Sequence, residues 1–276
     1  MTTKTYEQIL FQQRDRVGII TFNRPEKLNP WSGVMSHEVA EAIQRCNEDN
    51  SIGAVILTGA GRGYCSGADM SGARAAGDSA AGAQGSAGQR QRSSESGFGP
   101  DNDPLPVFFR KSKPIICAIN GVAVGIGLTH ALAADARIAS DRARLGAVFV
   151  HVGFTPELAS TYFLPQITGL QNALELMLTG KIDDAQEALR LGVVNRVVPH
   201  ESLLDEALAF AGAIAENPTW QVLETKRMVY NHAVEQDIHK ILTTEDPLFS
   251  ESSRSPARQE AIRAFTEKRQ PNFHSR

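Results

Sequence analysis

The sequence predicts an α/β core followed by a helical C-terminal region. Three observations carry that reading. Short β-rich runs alternate with helical runs over the first half of the chain, the pattern of βαβ units with parallel pairing. Glycine-bearing turns stand where strands give way to helices. From about Thr155 onward the periodicity becomes mostly helical. The expected division is a core over residues 1–199 and a helical region over residues 200–276.

"YEQILFQQ" and "RVGIITFN" read as two strands joined by a short polar turn. In "GVMSHEVAEAIQRCNED", Met35, Val39, Ile43 and Cys46 recur at helical spacing and predict an amphipathic helix. "GAVILTG" is a short buried strand, followed by the glycine-rich turn "GRGYCSGADM". "PIICAIN" is another strand and "GIGLTHALAA" a buried helix; "DARIAS" and "ARLGA" are short strands. The remainder is helical apart from "VVNRVVP". There is no internal repeat.

Residues 71–104 form the one low-complexity segment, rich in Gly, Ala, Ser and Gln. Such a chain buries too little apolar surface to offset its ordering entropy, so a mobile surface loop is expected. Strand patterns continue on both sides, which argues against a linker between domains.

The bulk composition excludes several classes. The chain of 276 residues is 42% hydrophobic and 21% charged, an ordinary globular profile. Its net charge of -3 gives no electrostatic footprint for nucleic acid. Cys46, Cys65 and Cys117 are odd in number and have no CxxC pairing, against a disulfide framework or zinc site and in keeping with the cytoplasm. The first residues, "MTTKTYEQIL", have no signal-peptide pattern. The uncharged stretch Pro114–Ala134 is long enough for a membrane span, but Asn120-Gly121, further glycines and Thr129-His130 interrupt it. Strand, turn and buried helix is the reading taken.

The chemistry starts with two glycine turns. Gly125 and Gly127 flank Ile126 where a strand turns into a helix, and such a turn presents free backbone N–H groups. "SGADM" offers a second turn after another strand. Two such turns at adjacent strand ends can aim two donors at one oxygen, an oxyanion hole. Glycines also serve tight turns and close packing, and the pattern alone leaves both readings open.

"FNRPEKLNP", "GYCSGADM", "PIICAINGVAVGIG", "LTGKIDDAQEALRLGVVNRVVP" and "FTEKRQPNF", in that order and across nearly the whole chain, resemble the enoyl-CoA hydratase/isomerase (crotonase) family. The resemblance implies a crotonase-like spiral of ββα repeats with a helical C-terminal trimerisation region. It implies a homotrimer or a dimer of trimers, and an acyl-CoA thioester substrate with no separate cofactor and no metal. It places the oxyanion donors at the N–H groups of Ala68 and Ile126. Ile126 replaces the usual middle glycine, which keeps the N–H and is expected to narrow the acyl pocket. Substrate contacts are implied for Lys27, Leu28, Ser66, Asp69, Met70, Gly125, Phe149 and Phe265, and for Lys268, which resembles a basic segment reaching coenzyme A phosphates from a neighbouring subunit.

Hydratases of this family resemble one another in two water-holding glutamates. The matching positions here are Thr129 and Phe149, neither of them a carboxylate. Glu157, eight residues after Phe149, is placed as in the Δ3,Δ2-enoyl-CoA isomerases, which carry "PEG" followed by small hydroxyl residues. A dehalogenase branch also needs a histidine before the "KSKP" strand, and none is there. "TPE" is in addition a favourable helix start, with Thr155 as N-cap and Pro156 as the first helical residue. A helix N-terminus lowers the carboxylate pKa and apolar surroundings raise it.

Other residues have simpler roles available. His130 and His151 read first as core histidines, Asp69 as a turn-fixing acid, and Cys65 lacks a paired base. The leading expectation is an isomerase with Glu157 as base. The rivals are a hydratase or other crotonase reaction with unconventional acid/base residues, and a non-catalytic acyl-CoA-binding protein.

Overall fold

The structure is a computed structural model that describes residues 5–71 and 98–274. Strands β1 (Ile9–Arg14) and β2 (Val17–Phe22) form an antiparallel hairpin, as the sequence predicts. Helix α1 (Gly33–Glu48) follows. Ser32 caps it, its hydroxyl accepting from the Met35 N–H at 3.1 Å. Met35, Val39, Ile43 and Cys46 all face the core, the stripe read from their spacing.

From there the next six strands alternate between two sheets. β3 (Ala54–Gly59), β5 (Ile115–Ile119), β7 (Ala136–Ser140) and β10 (Arg196–Val198) join β1 and β2 in a six-stranded sheet of order β1-β2-β3-β5-β7-β10. β4 (Gly63–Cys65), β6 (Val122–Val124), β8 (Arg144–Gly146) and β9 (Ile182–Asp184) form the second, in sequence order. All pairings from β2 to β10 in the first sheet are parallel, and so are β4/β6 and β6/β8; β9 closes the second sheet antiparallel to β8. Each step of two strands thus winds the chain once around a spiral. The intervening helices are α2 (Leu105–Lys111), α3 (Ile126–Leu132), α4 (Ser160–Thr168), α5 (Leu170–Thr179) and α6 (Ala185–Arg190). Four more complete the chain: α7 (Leu203–Ala215), α8 (Thr219–His232), α9 (Ile238–Ser253) and α10 (Pro256–Glu267).

The six-stranded sheet is covered on both faces, as a mostly parallel sheet must be. One face packs α1 and the second sheet around Phe22, Tyr64, Ile115 and Leu128. The other packs α7, whose Ala207, Ala211 and Ala215 lie against Ile19, Ile56 and Ile116. That approach is close: a Cβ on Gly53 would come within 2.7 Å of the Ala215 Cα. Among the described residues no helix is long and apolar enough to cross a membrane, and the interrupted stretch Pro114–Ala134 is strand, turn and short helix.

Two expectations need correction. Most of the low-complexity segment, residues 72–97, lies outside the described residues, but its end does not: Phe98 is buried, bridges to Asp103 and packs 6.3 Å from the Phe108 ring. And "TPE" does not start a helix. Leu158 and Ala159 turn the chain through left-handed φ of 51° and 55°, and α4 begins only at Ser160.

Candidate active site

The two glycine turns meet. β4 and β6 run parallel, with Cys65 opposite Ala123, so both strands end on the same edge and their turns lie side by side. A Cβ on Gly125 would sit 3.9 Å from the Gly67 Cα. Gly67 takes φ 101°, a setting that disfavours any side chain. Gly127 is needed for a different reason: a Cβ there would lie 2.3 Å from the Cys65 carbonyl oxygen.

Around this pair, several backbone groups have partners and others do not. Trp31 N–H donates to the Gly67 carbonyl at 2.8 Å and Asp69 N–H to the Trp31 carbonyl at 2.9 Å. In that parallel bridge Ala68 is skipped, and its N–H points away from Trp31 with no backbone acceptor among the described residues. Gly125 N–H donates to the Gly146 carbonyl at 3.1 Å. Ile126 is the first residue of α3, and its N–H has no backbone acceptor among the described residues. Two neighbouring orphan donors are what a developing thioester oxyanion needs.

The loop after β2 buttresses the first turn. Ser66 N–H donates to the Leu28 carbonyl at 3.0 Å and Ser66 Oγ to the Lys27 carbonyl at 3.2 Å, so these three residues are brought together. Arg24 bonds Asp69 at 2.6 Å and the Pro30 carbonyl at 3.2 Å. Burial opposes ionisation of Asp69, but the bonds from Ser71 and Arg24 together outweigh it and hold the carboxyl at about 2. Asp69 is thus tied into the turn. Met70, next to it, is exposed.

Asn29 and Asn120 are functional scaffold that sequence reasoning missed. Asn29 is fully buried; its Nδ2 donates to the Ala60 and Gly63 carbonyls at 2.9 and 2.7 Å and its Oδ1 accepts from Arg24 N–H at 2.7 Å. Asn120 donates to the Gly61 carbonyl at 2.9 Å and accepts from Gly59 N–H at 3.1 Å. Together they knit the β3–β4 turn. The only signals were Asn-Pro and Asn-Gly dipeptides, which read as turns.

Behind the turns lies an aromatic cluster. His130 stacks 4.7 Å from Trp31, meets Phe22 edge-on at 5.6 Å, and its Nε2 is 2.9 Å from Tyr64 Oη. Burial lowers its pKa to about 4, so it is a neutral core residue. Burial pushes the Cys65 thiol up to about 12, which removes it as a nucleophile near neutral pH. His151 is exposed and lies against the Gly180 turn.

The hydratase positions are closed to water chemistry. Thr129 is fully buried and its hydroxyl points back to the Ile126 carbonyl at 3.4 Å; Phe149 is buried in the core. Glu157 is exposed, on the turn between the 3-10 helix Val148–Val152 and α4. Its carbonyl accepts from Ser160 N–H at 3.0 Å, and the adjoining Leu158 packs on the same core as Ile126. Phe265 and Lys268 sit at the far end of α10, both exposed, with the Phe265 ring 86% accessible.

A family model described as enoyl-CoA hydratase/isomerase matches residues 12–276. The chain belongs to this family. It is 34% identical over 278 residues to a probable enoyl-CoA hydratase, echA8, of Mycobacterium bovis, covering 99% of this chain and all of that protein. It is 33% identical to the 1,2-epoxyphenylacetyl-CoA isomerase of Escherichia coli, covering 97% and 98%. The solved enoyl-CoA hydratase of Bacillus anthracis superposes with a TM-score of 0.83 at 30% identity, over 97% of this chain and 99% of that one. The spiral of ββα repeats with C-terminal helices is therefore the crotonase fold, and the protein is an enzyme of a family whose substrates are acyl-CoA thioesters.

Proposed function

We propose that the enzyme shifts a double bond in an enoyl-CoA, from the 3- to the 2-position, with Glu157 as base. The observation that carries this is the distribution of carboxylates. Both places for water-activating glutamates hold buried non-acids, Thr129 and Phe149, while Glu157 follows on an exposed turn before α4. Glu157 takes the C2 proton, charge moves onto the thioester oxygen, and the Ala68 and Ile126 N–H groups hold it. The same carboxylate returns the proton at C4. One acid suffices because the proton leaves and comes back, and neither metal nor cofactor takes part. Each oxyanion donor contributes about 3–4 kcal/mol to such a step.

Isomerisation needs a base whose pKa is raised toward neutrality, and the Glu157 residue is exposed in the single chain. A second copy and the bound acyl group are the proposed sources of desolvation. Leu170, Leu174 and Leu178 repeat every four residues along α5 and are all exposed, beside exposed Val150 and Val152. A face of that size fits subunit contact, and a homotrimer or dimer of trimers is the proposed assembly. In it Phe265 and Lys268 would reach a neighbour's coenzyme A. Lys27, Leu28, Ser66 and Met70 at the first turn, with Gly125 at the second, are proposed to contact the substrate.

The test is a substrate panel. The reading predicts turnover of 3-enoyl-CoA thioesters and little hydration of crotonyl-CoA, followed by loss of enoyl-thioester absorbance. A hydratase reading rests on relatives named for that reaction, and an epoxide isomerisation on the Escherichia coli relative. Preferred turnover of crotonyl-CoA or 1,2-epoxyphenylacetyl-CoA would establish one of those instead. Tight acyl-CoA binding without turnover of any of these would mark a non-catalytic member.

A further inference from the structure

A cavity of about 780 Å³ opens between the spiral core and helices α8 and α10, away from the two glycine turns. It is of ligand size. It meets α3 at its far end, at Leu132, with Ala134 just beyond, whereas the oxyanion turn is at the start of that helix. Most of its wall is apolar, with Phe163, Ile167, Val222 and Val229 prominent.

The charged groups in the wall are unbalanced. Arg110, Arg137, Lys226 and Arg258 line it with a single acid, Asp135, among the described residues. Asp135 is already engaged, accepting from Lys226 Nζ at 2.7 Å, Tyr230 Oη at 2.8 Å and Ile115 N–H at 2.7 Å. Arg137 is buried, yet its hydrogen bonds go to the Val193, Ala131 and Ala134 carbonyls, and no carboxylate pairs with it among the described residues. The Arg110 guanidinium is sandwiched among the rings of Tyr162, Phe163 and Tyr230, 4.7–5.2 Å from their centroids. Its Nε is buried with no hydrogen-bond partner. A buried donor left unmatched beside excess positive charge and an apolar wall is a place where an anion would be favoured.

We propose that this cavity is a second ligand site, separate from the oxyanion turns, for a monocarboxylate on an apolar body such as a medium-chain fatty-acid anion. The carboxylate meets Arg110 and Arg137, whose planar guanidinium groups match its geometry. The hydrocarbon lies along the wall formed by Phe163, Ile167, Val222 and Val229. A polyanion fits less well, because the apolar wall leaves its further charges unsolvated. Occupancy bears on catalysis through α3 and α4, which the cavity shares with the oxyanion turn and the Glu157 turn.

Calorimetric titration of the full-length protein with dodecanoate tests this. One equivalent should bind per chain, and dodecanol, which lacks the charge, should bind at least about tenfold more weakly. Arg110→Gln should weaken dodecanoate binding by about tenfold or more. Val229→Trp, at a wall position 62% exposed and so tolerant of bulk, should block it without unfolding the protein. Binding should persist with the oxyanion site saturated by acyl-CoA. The proposal is overturned if dodecanoate does not bind, if dodecanol binds equally well, or if Val229→Trp leaves binding intact. It is equally overturned if acyl-CoA displaces dodecanoate one for one, which would make the cavity part of the catalytic site, or if Val229→Trp changes the oligomeric state while wild type binds no dodecanoate, which would make it a seat for another chain.

Discussion

Gly127→Ala probes the junction on which the oxyanion geometry rests. The added methyl would lie 2.3 Å from the Cys65 carbonyl oxygen and 2.9 Å from the Cys65 Cβ, where ordinary contact begins at 3.4 Å. The neighbour is backbone, on a strand held in the second sheet by β6, so it has no rotamer by which to escape. Restoring contact distance moves β4 and α3 apart by about 1 Å. That separation falls directly between the Ala68 and Ile126 N–H groups. A misplacement of about 1 Å costs roughly a hundredfold in rate, and overpacking costs about 1–3 kcal/mol in stability. The assay is kcat and KM for 3-enoyl-CoA isomerisation, with a thermal melt on the same samples. The expected result is a folded protein, Tm lowered by several degrees, with kcat down about a hundredfold. Gly33→Ala is the control: nothing lies within 4 Å of a Cβ there, at the first position of α1, so both quantities should hold or Tm should rise slightly. Wild-type kcat and Tm in Gly127→Ala would refute the geometry.

Other expectations follow from the same contacts. Asn29→Ala leaves Arg24 N–H and the Ala60 and Gly63 carbonyls without their partner and should lower stability in urea by about 3 kcal/mol or more. Ala159→Gly removes a left-handed alanine and should raise stability by about 0.5–1 kcal/mol, the relief exceeding the entropy of the added glycine. His130 has a folded pKa of about 4 against an ordinary 6.5, so the unfolded chain binds the proton first; its contribution is complete above pH 6.5 and is lost as pH falls toward 4. A histidine-resolved NMR titration should show that ring unchanged from pH 8 to 5, and the urea midpoint should fall across the window. Asp69 has the same sign in a lower window: its stabilisation is present above 3.8 and fades as pH drops to about 2, and Asp69→Asn should flatten the acid limb of the stability curve.

Patterns of long range were legible in the sequence, and short irregular ones were not. The β3 and β5 strands and helix α1 carry continuous apolar runs or a 3.6-residue stripe. The second sheet does not. β4, β6, β8 and β9 are three residues each, too short for alternation to show, and β9 is the acidic "IDD", which looks nothing like a strand until β8 pairs with it. The spiral therefore came from family resemblance and not from periodicity. Helix α9 has Pro247 in its interior, which argues against a helix on sequence grounds. At the site, the glycine turns were legible because glycine marks close approach. Thr155-Pro156-Glu157 misled because a good helix start was followed by two left-handed residues with ordinary side chains, held there by tertiary packing of Leu158. The buried Asn29 was invisible because its three partners come from sequence positions 24, 60 and 63.

The measurement that bears most directly on the central claim is kcat for a 3-enoyl-CoA in wild type and in Glu157→Gln. The substitution keeps the shape of the side chain and removes its charge and basicity. The account predicts measurable wild-type conversion to the 2-enoyl thioester and a loss of about 10²–10⁴ in kcat for the variant, with the fold intact. Equal rates in the two proteins would contradict it.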